Sequence, residues 1–405
     1  MTDPVPLPAG VRDVLPVEAA ELRALGDALD SAFASFGFRE VMTPLIELAD
    51  VLDRAEEDGV GRAYRLFDDE GRVLVLRPDL TIPIARLVAT RMADQPDPVR
   101  VSYNARAVRP PAPGKIEGAE QRQAGIELVG MGGADADAEV IAALAAGLAA
   151  AGVPDARIAI GSVSLVSAVI AGVGADAPAQ RRLWAALRGR SRVDWRAAAA
   201  DAGGAGEASA VLAELPSLRG GTEVLDRVAA AVPDAADECG RLSEVLRLVG
   251  LHGVAPPMVD LGVVRDWAYY SGVVIEAYAA GAMAPIAVGG RYDGLAARFG
   301  RPRPAVGVAV ALDLLHHAAG RGAEQPDAGI VLVGGCDQFI EDAARLRARG
   351  VAVVALPVDA GDAEAVALAD GRRFVVRPDG PGWVARDVIG GADIAVADLL
   401  EGPWN

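Results

Sequence analysis

The sequence predicts an α+β protein: an antiparallel sheet flanked by helices, a helical insertion, and a small C-terminal α/β domain. Three observations point there. The strand-like runs Pro98–Val108 and Glu120–Val129 flank a Pro/Gly-rich loop, Arg109–Gly118, so they pair as two arms of one antiparallel unit. Residues from about 164 to 252 read as successive helices around the flexible DAGGAGEA. After a linker, RGAEQPDAG, strands and helices alternate to the end of the chain. The expected division is 1–320 for the sheet-bearing domain and 325–405 for the small one.

Residues 18–36 carry apolar side chains at helical spacing, and Gly37 is placed to stop that helix at a C′ position. GFREVMTPLIE follows as a strand with Pro44 inside it; proline lacks a ladder N–H, which makes this an edge or a bend. GRVLVLRPDLT is a strand running into a loop, with Asp79 and Thr81 just before a helix over Ile82–Met92. Taken alone, Asp79–Thr81 also reads as ordinary helix capping. Gln123 and Glu127 are four apart and share one face of their strand. A glutamate on a covered face needs a partner. A helix over Asp135–Ala151 and a strand over Ala156–Val163 precede the insertion. Strands resume at Met258 and continue through VVRDWAYYSGVVIE and VGGRYDGL, and RPAVGVAVALDLLHHAAG reads as strand then helix. In the last domain the strands are IVLVGG, VAVVALP and RFVVRP, with helices over Gln338–Arg349 and Asp362–Ala369.

Composition narrows the function. The chain has 405 residues, 52% hydrophobic and 23% charged, which suits a folded protein with a large core. A net charge of −17 argues against a broad electrostatic grip on nucleic acid. Two distant cysteines and the histidines His252, His316 and His317 offer no zinc-ligand spacing, so neither metal nor cofactor is expected. The stretch MTDPVPLPAGVRDVLP has no basic-apolar signal pattern, and the Ala-rich run near residue 150 is too short to span a bilayer. A cytoplasmic protein is expected.

The stretch Val263–Glu276 suggests a pocket for a small amphoteric ligand: Arg265, then Tyr269 and Tyr270, then an apolar strand. On a strand the two tyrosines would point to opposite faces, leaving at most one in the pocket unless a bulge re-aims the other. Core tyrosines in a strand are the plainer reading of the same residues.

Taken together, PAGVRDVLP with GFREVMTPLIE, LRPDLT, the Arg109 strand with QAGIELVG, VVRDWAYYSG, and GGRYDGL with AVGVAVALDLL resemble class II aminoacyl-tRNA synthetases, specifically histidyl-tRNA synthetase. The likeness covers the chain to about residue 320 and follows the order of motifs 1, 2 and 3, with motif 1 as the dimer-forming element. It implies a sheet of six to seven antiparallel strands. It also implies a histidine site, in which Asp79 and Thr81 take the ammonium and Gln123 orients the amino-acid head. Glu127 with Tyr269 and Tyr270 reads the imidazole, and Arg109 and Arg265 are the matching motif arginines.

The nucleotide half departs from the synthetase pattern. Asp313 and Leu314 stand where motif 3 ends in Glu-Arg, and leucine cannot stack on adenine or pair with phosphate. Pro111 and Glu117 replace the motif 2 acid and its second loop arginine, and Ala268 precedes the tyrosines. From Glu324 to Asn405 the chain carries 14 Asp and Glu against 7 Arg, which does not favour an anticodon. The group this resembles best is the regulatory subunits of ATP phosphoribosyltransferase. Such a resemblance implies a non-catalytic, homodimeric protein within a hetero-oligomer. It would partner a short-form catalytic subunit and bind L-histidine as feedback inhibitor. A divergent active histidyl-tRNA synthetase and a stand-alone histidine-binding module are the alternatives.

Overall fold

The computed structural model describes residues 6–55, 63–110, 118–203, 206–263, 269–320, 327–334, 337–358, 361–369, 371–379 and 382–395. The chain groups into two compact units, Met1–Asp13 with Leu22–Gly320, and Val14–Glu21 with Arg321–Asn405.

A nine-stranded sheet organises the first unit. Its spatial order is Arg39–Glu40, Val99–Val108, Glu120–Val129, Ala305–Ala311, Ala287–Arg291, Val273–Tyr278, Arg157–Ser162, Met258–Asp260, Arg219–Gly220. The six strands from Val99–Val108 to Arg157–Ser162 are mutually antiparallel. The two parallel pairings, Arg39–Glu40 on Val99–Val108 and Met258–Asp260 on Arg157–Ser162, lie toward the edges. The sheet thus exceeds the expected six to seven strands through edge pieces of two or three residues, too short for alternation to show in sequence. The central hairpin pairs antiparallel as expected, in a register that sets Val101 opposite Glu127 and Ala105 opposite Gln123.

The helix Pro16–Ser35 stops at Gly37, whose φ of 82° is the left-handed value that glycine adopts without cost. Gly37 N–H donates to Ala34 O and Phe38 N–H to Phe33 O, the paired bonds of a Schellman stop. The single strand expected across Pro44 is two strands in different sheets. Arg39–Glu40 joins the large sheet, whereas Ile46–Leu48 pairs with Val73–Leu76 in a three-stranded sheet completed by Arg65–Phe67. Proline cannot carry the ladder through, and Arg77 holds the break: its guanidinium donates to Thr43 O at 2.6 Å and to Arg106 O at 2.8 Å.

Among the described residues, six α-helices occupy 163–251. Ser162, Asp176 and Ser191 cap three of them through side-chain oxygens that accept from backbone N–H groups. In the second unit Val353–Leu356, Asp327–Val333 and Arg372–Asp379 are parallel, and the helices Asp337–Ala348 and Ala363–Ala369 make the connections. Two further antiparallel strands, Gly382–Asp387 and Asp393–Ala395, extend that sheet beyond the alternation read from sequence. Among the described residues no helix is long and apolar enough to cross a membrane.

Candidate functional site

The site grows from one face of the central hairpin. Period-two alternation puts Gln121, Gln123, Gly125 and Glu127 in one row, with Tyr103 opposite Gly125 and Gly307 opposite Glu127 on the next strand. The glycines are required by space. A Cβ on Gly307 would run into the Glu127 carboxylate, and one on Gly125 would meet the Tyr103 hydroxyl. The helix Thr81–Thr90 begins beside this row because the chain leaves Val73–Leu76 through Pro78 and Asp79. Asp79 Oδ1 accepts the Ile82 N–H at 2.9 Å, so the capping role read from sequence is present.

Glu127 is the centre, 1% exposed. Thr81 Oγ1 donates to its Oε1 at 3.0 Å, and the Tyr292 hydroxyl donates to its Oε2. The Tyr269 hydroxyl in turn meets Thr81. Burial pushes the Glu127 carboxyl up to about 7; the Tyr292 and Thr81 hydrogen bonds work against that rise, and the nearby Asp79 adds to it. Burial, then the neighbouring acidic groups, also hold the phenols of Tyr103, Tyr269 and Tyr292 well above their ordinary range. The tyrosines are therefore neutral donors around a carboxylate with hydroxyl partners. Such a site favours a cation or an N–H donor.

The strand expected to carry Tyr269 and Tyr270 starts later, at Val273. Both residues sit in the irregular segment before it, where alternation between faces does not apply. Both pack against the same apolar cluster, with Leu80, Ile82, Tyr103 and Tyr292. Tyr269 lies edge-on to Tyr270 at 5.1 Å and to Tyr292 at 5.9 Å between ring centres. The strand alternation that would leave at most one of them in the site, unless a bulge re-aimed the other, therefore does not operate here, and both rings pack on one cluster.

Of the expected residues, Asp79, Thr81, Glu127, Tyr269 and Tyr270 come together here. Gln123 lies half-buried further along the same row. Arg109 is near the row's outer end, where its guanidinium donates to Gln121 Oε1 at 2.6 Å, a partner the sequence reading did not name. Arg265, Ala268, Pro111 and Glu117 lie outside the described residues. Three contributors were missed. Tyr103 could have been found from its register opposite Gly125, and Tyr292 from the tyrosine in GGRYDGL. Gly307 had no signal apart from its strand partner. At the nucleotide side, Asp313 pairs with Arg12 at 3.2 Å and accepts the Arg122 N–H at 3.3 Å, and Leu314 follows it in the helix Leu312–Ala318.

Arg291, from the same GGRYDGL stretch, makes a buried ion pair that supports the site from outside. Its guanidinium reaches Asp137 Oδ1 at 2.6 Å and Asp293 Oδ1 at 2.9 Å. That fixes the turn from which Tyr292 reaches Glu127.

Comparison with known proteins gives the fold and the family. The family described as Histidyl-tRNA synthetase matches residues 10–315. The ATP phosphoribosyltransferase regulatory subunit of Moorella thermoacetica is 40% identical over 87% of this chain and 92% of its own length. That of Symbiobacterium thermophilum is 40% identical over 93% and 97%. A Bacillus halodurans crystal structure described as an ATP phosphoribosyltransferase regulatory subunit/histidyl-tRNA synthetase superposes with TM-score 0.82 at 31% identity, covering 93% of this chain and 99% of that one. Histidyl-tRNA synthetase from Nostoc gives the same TM-score at 22% identity over 98% of each chain, a likeness of fold. With a class II synthetase fold over most of its length and relatives of this identity and coverage, the chain belongs to the histidyl-tRNA synthetase-like family of ATP phosphoribosyltransferase regulatory subunits.

Proposed function

We propose that this chain is a non-catalytic regulatory subunit that senses L-histidine for ATP phosphoribosyltransferase, in the first step of histidine biosynthesis. It activates a short-form catalytic subunit and mediates feedback inhibition by histidine. The observation that carries this is the buried Glu127 with its hydroxyl partners, set beside a motif 3 position that holds leucine. In this reading Glu127 accepts the imidazole N–H among Tyr269, Tyr270 and Tyr292. Asp79 and Thr81 attract the ammonium, and Gln123, Arg109 and Arg265 serve the carboxylate. Residues 1–320 are the synthetase-core-like sensor with its insertion at about 164–252, and 325–405 form the appended domain. The protein acts in the cytoplasm, needs no cofactor and does not hold nucleic acid.

The working unit is a homodimer within the hetero-oligomer. Met42 at 83% exposure and Phe67 at 73%, with Ile46 and Leu66, put an apolar surface around the three-stranded sheet in the motif 1 region. A second copy of that surface is the partner proposed for it. Feedback requires histidine to bind two arrangements of the complex unequally. Closure of the tyrosine-lined site around the ligand supplies that difference.

A thermal-shift series with histidine, histidinol and ATP tests the sensor. A ligand at about a hundredfold excess over its Kd stabilises the folded state by about 2.7 kcal/mol. Histidine alone is expected to raise the melting temperature, Glu127→Ala to lose most of that rise, and Leu314→Ala to keep it. No shift in the wild type, or an undiminished shift in Glu127→Ala, would overturn the assignment. Phosphoribosyl-ATP formation by an added short-form catalytic subunit, with and without histidine, tests activation and inhibition. Histidine-dependent ATP–pyrophosphate exchange by this chain alone would instead establish a synthetase.

A further inference from the structure

A second polar cleft lies at the other end of the large sheet, between the insertion helices and the strand Val273–Tyr278. Its volume is about 250 Å³. Trp195, Leu187 and Val263 are among its lining residues, as are Arg190, Arg192 and Arg219, and the guanidinium groups of Arg190 and Arg219 reach acids of the same lining. We propose that this cleft is a binding site for a small anion bearing phosphate or carboxylate groups, separate from the Glu127 site.

The arginines are held by acids beneath them. Glu276 is 0% exposed; Arg190 donates to its Oε1 at 3.3 Å and the Tyr278 hydroxyl to its Oε2. Asp260, also buried, accepts from Arg219 Nε at 2.6 Å and from the Gly262 N–H at 2.9 Å. Each acid is neutralised by one arginine and fixes the direction of its planar fork, the group suited to phosphate and carboxylate. With Arg192 the lining residues include three arginines against two acids, an excess of positive charge in a chain of net −17. Ser191 and Arg192 also bring the start of the ten-residue helix Arg192–Asp201 to the cleft, and helix starts favour anions.

Arg190 gives an independent reason to look here. Its φ of 52° is the one positive value for a non-glycine among the described residues. It occupies the left-handed position of a helix stop: Arg190 N–H donates to Leu187 O and Ser191 N–H to Ala186 O. Glycine is the unstrained residue there, and Gly189 stands one position too early to serve. Strain retained in a cleft, on a side chain that reaches a buried acid, is the pattern of a functional residue. The size of the cleft suits a metabolite, and the negative net charge disfavours a polyanion such as RNA.

The test is calorimetric titration of the full-length protein with inorganic phosphate, pyrophosphate and citrate at low salt. Saturable binding of at least one is expected, and the contrast between pyrophosphate and citrate tells phosphate from carboxylate recognition. Arg192→Ala leaves both ion pairs in place and is expected to weaken binding by about tenfold while histidine still raises the melting temperature as in the wild type. Arg190→Gly/Glu276→Gln removes the strain together with the buried charge it covers. It is expected to fold at least as stably as the wild type and to bind the anion about tenfold less. The proposal fails if none of the three anions binds saturably, or if both variants bind them as the wild type does. A histidine response that survives in Arg192→Ala keeps this result distinct from that of the Glu127 site.

Discussion

Replacing Glu127 by Gln makes the electrostatics of the proposed sensor site measurable without any ligand. The carboxyl is raised from its ordinary 4.5 to about 7, chiefly by burial. A raised acid binds its proton more tightly in the folded state than in the unfolded one. Its contribution to stability is therefore complete only below the unfolded value and is lost as pH rises through about 7. At 1% exposure the group needs no discount for solvent screening. Between about pH 5 and about pH 8.5 the wild type should lose roughly 2.5 kcal/mol from this group alone. Glutamine keeps the shape and an acceptor for Thr81 and removes the titration. Asp137, raised to about 6 mainly by burial against its Arg291 partner, titrates in the same direction in both proteins and cancels from the comparison. Urea unfolding at the two pH values measures the difference, with Glu127→Gln expected to be the more stable protein at the higher pH. Equal pH dependence in the two proteins would show that Glu127 is not the buried carboxyl, raised by desolvation, described above.

Three further outcomes follow from named contacts. Gly307→Ala puts a methyl group into the Glu127 carboxylate and within 2.6 Å of Ile126 O, which the sheet holds in place; thermal unfolding should show a loss of about 1–3 kcal/mol, and histidine should no longer raise the melting temperature. Asp137→Ala leaves Arg291 buried with only the half-exposed Asp293 as a charged partner, and urea unfolding should register a cost of about 3–5 kcal/mol. Met42→Glu/Phe67→Glu puts charge on the exposed apolar surface of the motif 1 region. If the proposed homodimer uses this surface, sedimentation should report a dimer for the wild type and a monomer for the variant, with circular dichroism unchanged; a dimer that persists in the variant would place the interface elsewhere.

The fold was legible wherever one short-range rule dominated. Val99–Val108 and Glu120–Val129 are long, apolar and separated by a breaker-rich loop, so antiparallel pairing was the natural outcome and the register followed. Gly37 was readable as a stop because the left-handed conformation selects glycine. The failures were those of local rules meeting tertiary ones. Pro44 was seen as a disturbance, but sequence could not show that the chain would divide there between two sheets, since the anchor is Arg77 from another segment. The edge strands Arg39–Glu40, Arg219–Gly220 and Met258–Asp260 are defined by their neighbours and have no pattern of their own.

The site divides along the same line. Thr81, Glu127 and the tyrosine pair were legible because each sits in a motif whose chemistry can be argued residue by residue. Whether Tyr269 and Tyr270 share a side depended on where the strand begins, and a start at Val273 rather than before the tyrosines lets both rings pack together in one cluster. Glu127 posed the sharper question, since a buried glutamate must find a partner. The sequence reading named no partner for it. The structure answers with two hydroxyls, from Thr81 and Tyr292, while Arg109 is engaged by Gln121 and Arg291 by Asp137. A carboxylate satisfied by hydroxyls keeps its affinity for a cationic or N–H-donating ligand; one locked to arginine would have spent it. Keeping the cations away from Glu127 is thus as much a part of the proposed sensor as the residues that line it.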